Sequence, residues 1–353
     1  MPSMIFANKD EIYRFIKFFN GEGLVTASGP KWKRDRRLMS PIFSHKTVEK
    51  YYPICVEQSN ILTDILKKEL DQKTFNVKKY INRCCTDITT EIILGTKTHA
   101  QSGALDTFLE TVSSKNKQLS NERDSVLPFV DYLLQIRDEI PSFATDKELI
   151  HHITTIYTAA EDTITSILSF TLVLLGMYPK IQNKVAEELK ETFGLEPREV
   201  KLEDLPQLRY LLMCIKDVLR LFPIAPFIMR IASEDCQIEK WTIPKGCSIM
   251  VSIYNLHRNP DHWDKPNEFY PEHFLPEAIS KRHPYAFIPF SSGPRSCVGK
   301  PLAYMVIQTI LATILQHYEV EADGTLQEKS LKADISTRFK DDLYPIRLKQ
   351  RIY

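Results

Sequence analysis

Over the first two-thirds of the chain, apolar residues recur at the three- and four-residue spacing of helices packed on a core. This pattern predicts helices at 31–39, 46–70, 80–94, 146–178, 180–192 and 208–222. Gly95 is a predicted C-cap, and Thr145 with Glu148 forms a capping-box pattern before the longest helix. Pro179 and Pro223 mark two further helix ends.

Beyond residue 225 the spacing of apolar residues changes from that of helices to that of β-strands. Short strands are predicted at 229–231, 237–238 and 248–252, and residues 265–276 form a Pro-rich irregular segment. The chain therefore predicts a mainly α fold with a small β subdomain, arranged as one domain over 1–353. Its helical body covers about 21–225 and its β-rich part about 226–353. The lack of strand–helix alternation argues against a dinucleotide-binding Rossmann unit.

The composition of the chain argues against several classes of protein. The net charge of +1 over 353 residues gives no general attraction to nucleic acid. Seven cysteines without a Cys-x-x-Cys pair argue against a disulfide framework or a zinc site. The apolar stretch 164–178 contains four serine and threonine side chains, so it predicts a buried helix rather than a membrane span. The first twenty residues do not have the pattern of a signal peptide.

One cysteine has unusual neighbours. Cys297 ends the Gly- and Pro-rich loop 290–299, directly before a helical run at 301–317. A helix N-terminus stabilises a thiolate, Gly293 and Gly299 allow a flat group to approach the backbone, and Arg295 can bind an anionic substituent. These are the requirements of an axial thiolate ligand to haem iron. The alternative is a structural cysteine buried in a turn.

The loop resembles the haem-binding motif Phe-x-x-Gly-x-Arg-x-Cys-x-Gly of the cytochrome P-450 superfamily at all five fixed positions. The resemblance implies a non-covalently bound haem b, with Cys297 as the iron ligand. By the same resemblance, the cofactor-binding residues of the loop are Phe290, Gly293, Arg295, Cys297 and Gly299.

Two further segments carry candidate ligands for the haem propionates. Trp32 and Arg36 lie four residues apart, on one face of a predicted helix. The resemblance assigns both to a propionate and adds Arg230 from a later strand; the alternative is a solvated basic helix. Asp35 stands where family members often have His. Because a carboxylate would repel a propionate, we expect Asp35 to point elsewhere or to weaken the site.

The segment 159–164, within the long apolar helix, resembles the oxygen-activation motif of the family. By this resemblance Asp162 relays protons and Thr163 holds the bound oxygen by a hydrogen bond. The alternative is a hydroxyl that bonds back to its own helix. Ala160 replaces the usual Gly and Ile164 the usual second Thr. The branch most resembled is clan four, and Ala159 replaces the glutamate that esterifies haem in many of its members.

Asp217 and Arg220 resemble the Glu-x-x-Arg pair of the family, whose third partner is an arginine in a later loop. Here that arginine is replaced by His273. Asp is shorter than Glu, and His is neither permanently charged nor forked. The substitutions predict a weakened structural cluster.

The resemblance implies a monooxygenase that acts with O2 on a lipophilic fatty acid, hormone or xenobiotic. Electrons would come from NADPH through a flavoprotein reductase, with cytochrome b5 as a second candidate donor. Lys33, Arg34, Arg37 and Lys300 could form the docking patch for an acidic donor, or an ordinary solvated charge run. The family location is the endoplasmic reticulum membrane, with cytosolic or peripheral placement as the alternative.

The resemblance covers the chain from about Gly21. The expected form is a P-450 fold without the anchor, the first strands and helices, and most of the helices that roof the substrate channel. Between 95 and 129 we expect one helix, at 105–112. Two other functions stay open: a non-catalytic remnant with impaired haem binding, and a thiol redox enzyme that uses Cys297.

Overall fold

Helices dominate the structure, as the hydrophobic pattern predicts. The computed structural model describes residues 7–71, 73–103, 127–333 and 336–352. The helices are α1 (Arg14–Asn20), α2 (Gly29–Met39), α3 (His45–Val48), α4 (Tyr52–Leu66), α5 (Lys78–Leu94), α6 (Phe129–Glu139), α7 (Asp146–Met177), α8 (Pro179–Phe193), α9 (Arg209–Leu221), α10 (Ile253–Leu256), α11 (Pro276–Lys281) and α12 (Lys300–His317). The mainly α fold class is confirmed. The expected helix at 105–112 lies outside the described residues.

The strands form small antiparallel groups at the edges of the helical body. They are β1 (Asn8–Lys9), β2 (Phe75–Asn76), β3 (Phe227–Ile231), β4 (Cys236–Ile238), β5 (Trp241–Ile243), β6 (Ser248–Ser252), β7 (Tyr318–Glu321), β8 (Leu331–Ala333), β9 (Thr337–Phe339) and β10 (Pro345–Gln350). The strand orders are β1–β3–β6 and β2–β10–β7, beside the two hairpins β4–β5 and β8–β9. In the first sheet, Lys9 stands directly opposite Arg230.

The long helix α7 forms the centre of the core. Its Thr145 cap accepts a hydrogen bond from the Glu148 N–H while Glu148 reaches back, which completes the predicted capping box. The helix packs against α5, α9 and α12. Among the described helices it alone has the length and apolarity of a membrane span, yet 67% of its apolar window is buried inside the protein. This burial agrees with the predicted core helix.

The continuous helix predicted for 46–70 is wrong. The chain forms α3, a 3-10 turn at Glu49–Tyr51, and then α4 from Tyr52. Pro53 explains the break, because it lacks the N–H that a continuous helix would need there but is well tolerated in a first turn. The pattern also missed β1, β2 and β5, each only two or three residues long. Gly95 ends α5 in the left-handed conformation, with φ of 63°, as predicted.

A buried charge cluster joins α9 to the irregular segment after residue 265. The carboxylate of Asp217 accepts hydrogen bonds from Arg220 Nε (2.6 Å), the Tyr270 N–H (2.7 Å) and His273 Nδ1 (2.9 Å). His273 Nε2 faces the backbone oxygen of Asp264. Both ring nitrogens of His273 therefore face oxygen atoms, one in a side chain and one in the backbone.

Asp217 and His273, which replace the family's Glu and Arg, therefore still form a connected cluster with Arg220. Arg220 is fully buried and also donates to the carbonyl oxygens of Pro266 (2.5 Å) and Glu268 (2.6 Å). Arg282 donates to the carbonyl of His273 (3.0 Å), and its guanidinium carbon lies 3.8 Å from the ring centre of Trp263. Buried charges of this kind stabilise a fold only while every partner is present.

We expect Asp217→Asn to lower the free energy of unfolding by about 3–5 kcal/mol, because it leaves buried Arg220 without its counter-charge. Asp64→Asn is the matched control. Its carboxylate pairs with Lys67 on the surface and is 69% exposed, so a change within about 0.5 kcal/mol is expected. Urea unfolding followed by circular dichroism measures both variants. Equal changes in the two would contradict a structural role for the cluster.

Candidate functional site

A deep cleft lies beside the cysteine loop, with an empty volume of about 1170 Å³ that includes some open solvent. The wall from α7 consists of Ile156, Ala159, Ala160, Thr163 and Ile164. The wall from α5 consists of Ile88, Thr89, Ile92 and Ile93. The cysteine loop and α12 contribute Phe290, Cys297, Val298, Gly299, Leu302 and Ala303. Most of this surface is apolar, as is usual for sites that bind organic ligands.

The cysteine loop is closed by its own backbone. The N–H of Cys297 donates to the carbonyl of Phe290 (2.9 Å), and the N–H of Ser296 donates to Gly293 (3.0 Å). Gly293 has φ of 73°, a conformation that favours glycine. Helix α12 begins at Lys300, immediately after Gly299. Gly293 does not line the cleft; it forms the turn that directs Cys297 towards it.

The thiol of Cys297 lies deep in the protein, yet its surface is open because it faces the cleft. Burial raises the pKa of this thiol above its usual value. The N–H groups of Gly299 and Lys300 and the positive charge of Arg36 act in the opposite direction. The helix N-terminus thus favours a thiolate, as predicted, but burial outweighs it. A cation bound at the sulfur would supply the missing stabilisation.

Positive charge collects at one end of the cleft. Arg36 lines it and donates from Nη1 to the carbonyl of Ser296 (2.8 Å). Arg295 also lines it, donates to the carbonyls of Ala7 and Ala27 (2.6 Å each), and lies 3.8 Å from the ring centre of Trp32. Burial and the nearby Arg230 and Arg36 lower the pKa of Arg295 to about 9.

Arg230 lies behind this end rather than in its wall. It is buried in β3, donates to the carbonyl of Met229 (2.8 Å), and is not among the residues that line the cleft. Its assignment to a propionate stays a prediction. Sequence reasoning missed Lys9, which does line the cleft, because the two-residue strand β1 gives no recognisable pattern.

Asp35 turns away from the cleft. Its buried carboxylate accepts from Lys31 Nζ and Arg34 Nε (2.9 Å each) and lies 3.4 Å from His152 Nε2. Burial alone would raise the pKa of Asp35, but the nearby His152 and the hydrogen bonds from Lys31 and Arg34 lower it to about 2. Lys31, which donates to Asp35, also pairs with Glu148 of α7 (3.0 Å) and so fixes α2, the helix that carries Trp32 and Arg36, against α7.

The two predicted oxygen-activation residues have different environments. Thr163 lines the cleft, but its hydroxyl donates to the carbonyl of Ala159 (2.8 Å), which is the bond of the alternative interpretation. Asp162 is not in the wall; its Oδ1 lies 3.5 Å from Nη2 of Arg338. Their catalytic roles stay predictions.

The predicted basic patch is only partly available. Lys33, Arg37 and Lys300 are exposed. Arg34 instead directs its guanidinium to Asp35 and to the carbonyl of Phe143 (2.8 Å). Three of the four cations therefore remain for a partner.

A thiol and converging cations around an apolar cleft, beneath one long helix, define the class of cysteine-ligated haem monooxygenases. The family model described as cytochrome P450 matches residues 4–113 and 96–341 of this chain. The chain belongs to the cytochrome P450 family, and its enzyme class is monooxygenase. The match begins at residue 4, so the expectation that the resemblance starts near Gly21 is wrong.

Comparison with individual proteins supports the resemblance of this chain to the clan-four branch. Cytochrome P450 4V2 of Mus musculus is 32% identical, and the alignment covers 98% of this chain and 77% of the relative. Cytochrome P450 4V2 of Homo sapiens gives the same figures. Cytochrome P450 4c3 of Drosophila melanogaster is 29% identical, over 97% of this chain and 76% of the relative.

The Asp35 contacts predict a pH effect on stability. Its folded pKa of about 2 lies below its ordinary value of 3.8, so its contribution is present above pH 4 and is lost as the pH falls towards 2. Between pH 5 and pH 3, we expect wild type to lose about 1 kcal/mol more unfolding free energy than Asp35→Asn. Asp261→Asn, at an exposed position, should follow the wild-type pH dependence. Urea titrations at both pH values give the free energy of unfolding of each protein. An equal change of that free energy in all three proteins would contradict the role of Asp35.

Proposed function

We propose that this protein is a haem-thiolate monooxygenase that inserts one oxygen atom of O2 into a lipophilic substrate, with electrons from NADPH. The observation that supports this best is the position of Cys297, whose thiol lines the same apolar cleft as Ala160 and Thr163 of α7. A candidate iron ligand therefore shares one cleft with a candidate oxygen-activation segment.

The residues of the cleft fit haem b. Cys297 would supply the thiolate ligand, and Trp32, Arg36 and Arg295 would hold the propionates, with Arg230 behind them. When bound, haem supplies the binding and activation of O2. Ala159 carries no carboxylate, so attachment is non-covalent. Phe290, Gly293 and Gly299 would shape the loop against the cofactor.

The other groups act on water, protons and substrate. The isoleucines of α5 and α7 exclude water and favour an apolar substrate, namely a fatty acid, hormone or xenobiotic. While Thr163 donates to Ala159, its oxygen can still accept a hydrogen bond from a proton donor in the cleft. Asp162 would have to leave Arg338 to carry a proton inwards.

The electron donor we propose is an NADPH-dependent flavoprotein reductase, with cytochrome b5 as an additional candidate. Exposed Lys33, Arg37 and Lys300 offer positive charge to an acidic donor surface. The proposed location is the endoplasmic reticulum membrane.

Cys297→Ser should abolish the red-shifted Soret band that a haem-thiolate gives when reduced in carbon monoxide, because the hydroxyl does not replace the thiolate. Cys247→Ser, which lies outside the cleft wall, should keep the band. The difference spectrum of haem-loaded protein measures both variants.

Absence of the band from well-folded wild-type protein would overturn the proposal in favour of a non-catalytic protein. Rapid alkylation of Cys297 in haem-loaded protein would favour a thiol redox enzyme instead, since an iron-bound sulfur is protected.

Thr163→Ala should lower the rate of hydroxylated product formation by ~10²-fold, the scale of a lost proton-transfer group. Thr163→Ser keeps the hydroxyl and should retain most of the rate. Haem content should be equal in the two variants, because the hydroxyl bonds to its own helix. Product from a panel of fatty acids is measured by mass spectrometry, and unchanged turnover in the alanine variant would remove Thr163 from the mechanism.

A further inference from the structure

Lys9 enters the cationic end of the cleft from the N-terminal side. Strand β1 pairs with β3 so that Lys9 faces Arg230 across the ladder. The N–H of Lys9 is held by Ser28 Oγ (3.0 Å), and its Nζ lies 4.1 Å from the ring centre of Tyr13. The side chain lines the same cleft as Cys297. A short strand thus places an ammonium group at a fixed position beside the arginines.

This end of the cleft carries four cations: Lys9, Arg36, Arg230 and Arg295. Within the described part of the chain, no carboxylate oxygen lies within 4.0 Å of any of their nitrogens. Among the described residues, the hydrogen bonds of the three arginine side chains go to neutral backbone carbonyls. Four buried or half-buried cationic side chains therefore meet without a counter-charge from any residue that the structure describes.

Such crowding raises the free energy of the ligand-free protein. The pKa of Lys9 lies well below its usual value because of burial and then the charges of Arg230 and Arg295. The nearest acidic residue along the chain, Asp10, directs its carboxylate to the Ile12 N–H (2.9 Å) and the Ser248 hydroxyl. An anion bound among the four cations would remove the repulsion and favour the charged form of each.

We propose that Lys9 binds a carboxylate of the haem, together with Arg36 and Arg295, and that strand β1 thereby closes the anionic edge of the cofactor site. This inference rests on the proposed function and deepens it. Arg36 comes from α2, Arg295 from the cysteine loop and Lys9 from β1, so one dianionic edge would join three distant segments. Haem binding would then also stabilise the pairing of β1 with β3.

A charge-specific test compares haem with haem dimethyl ester, which has the same ring but neutral side groups. Apoprotein is titrated with each and followed by the Soret absorbance. Lys9→Gln should weaken haem binding about tenfold, the scale of one lost charge-assisted hydrogen bond, and should leave the affinity for the ester unchanged. Lys9→Arg should restore most of the affinity for haem. Lys33→Gln, at an exposed position on α2, should bind both compounds like wild type.

The pH dependence gives a second readout. The ratio of the haem affinity of wild type to that of Lys9→Gln should fall as the pH rises and Lys9 loses its proton, because the other groups of the site, the Cys297 thiol included, are the same in both proteins. The groups that face Lys9 are Tyr13, Arg230 and Arg295, and all are retained in the variant.

Three results would overturn the inference. Equal haem affinity in wild type and Lys9→Gln would remove Lys9 from the site while leaving the proposed function intact. Equal loss of haem and ester binding would make the role of Lys9 purely structural. Failure of folded wild-type protein to bind haem would overturn the proposed function itself, and this inference with it.

Discussion

The cleft holds the thiol of Cys297 and the cations Lys9, Arg36 and Arg295, with Arg230 behind them, and no anion among the described residues balances this charge. Both features are costly, because burial disfavours the thiolate and like charges repel one another. A flat ligand with a cationic centre and an anionic edge would relieve both costs together. Haem has this distribution of charge, so the electrostatics of the site and the family assignment lead to the same cofactor.

A rigid surrounding structure keeps this arrangement in place. Helix α7 fixes one wall through its buried packing on α5, α9 and α12. The Lys31–Glu148 ion pair holds α2, and with it Trp32 and Arg36, against α7. The Asp217 cluster fixes α9 to the chain that leads into the cysteine loop. Asp217 and His273, which replace the Glu and Arg of the family, still contact one another at 2.9 Å.

Prediction from sequence succeeded where the determining contacts are local. The capping box at Thr145, the end of α5 at Gly95 and the start of α12 behind the cysteine loop all depend on residues a few positions apart. The cysteine motif belongs to the same category, since its loop closes through a bond between Phe290 and Cys297. The predicted continuous helix over 46–70 is interrupted for a local reason as well, because Pro53 has no N–H to continue a helix through that position.

What the sequence by itself determined is the class of protein, a mainly helical cytochrome P450 in which Cys297 lies just before the N-terminus of a helix. Only the tertiary structure decided which charges meet. Arg295 reaches the carbonyl of Ala7 across 288 positions, and Arg36 reaches Ser296 across 260. Lys9 enters the site through strand pairing with Arg230, and Asp162 turns towards Arg338. The spacing of residues along the chain fixes contacts within a helix or loop, but partners this distant are selected by the packing of the whole fold.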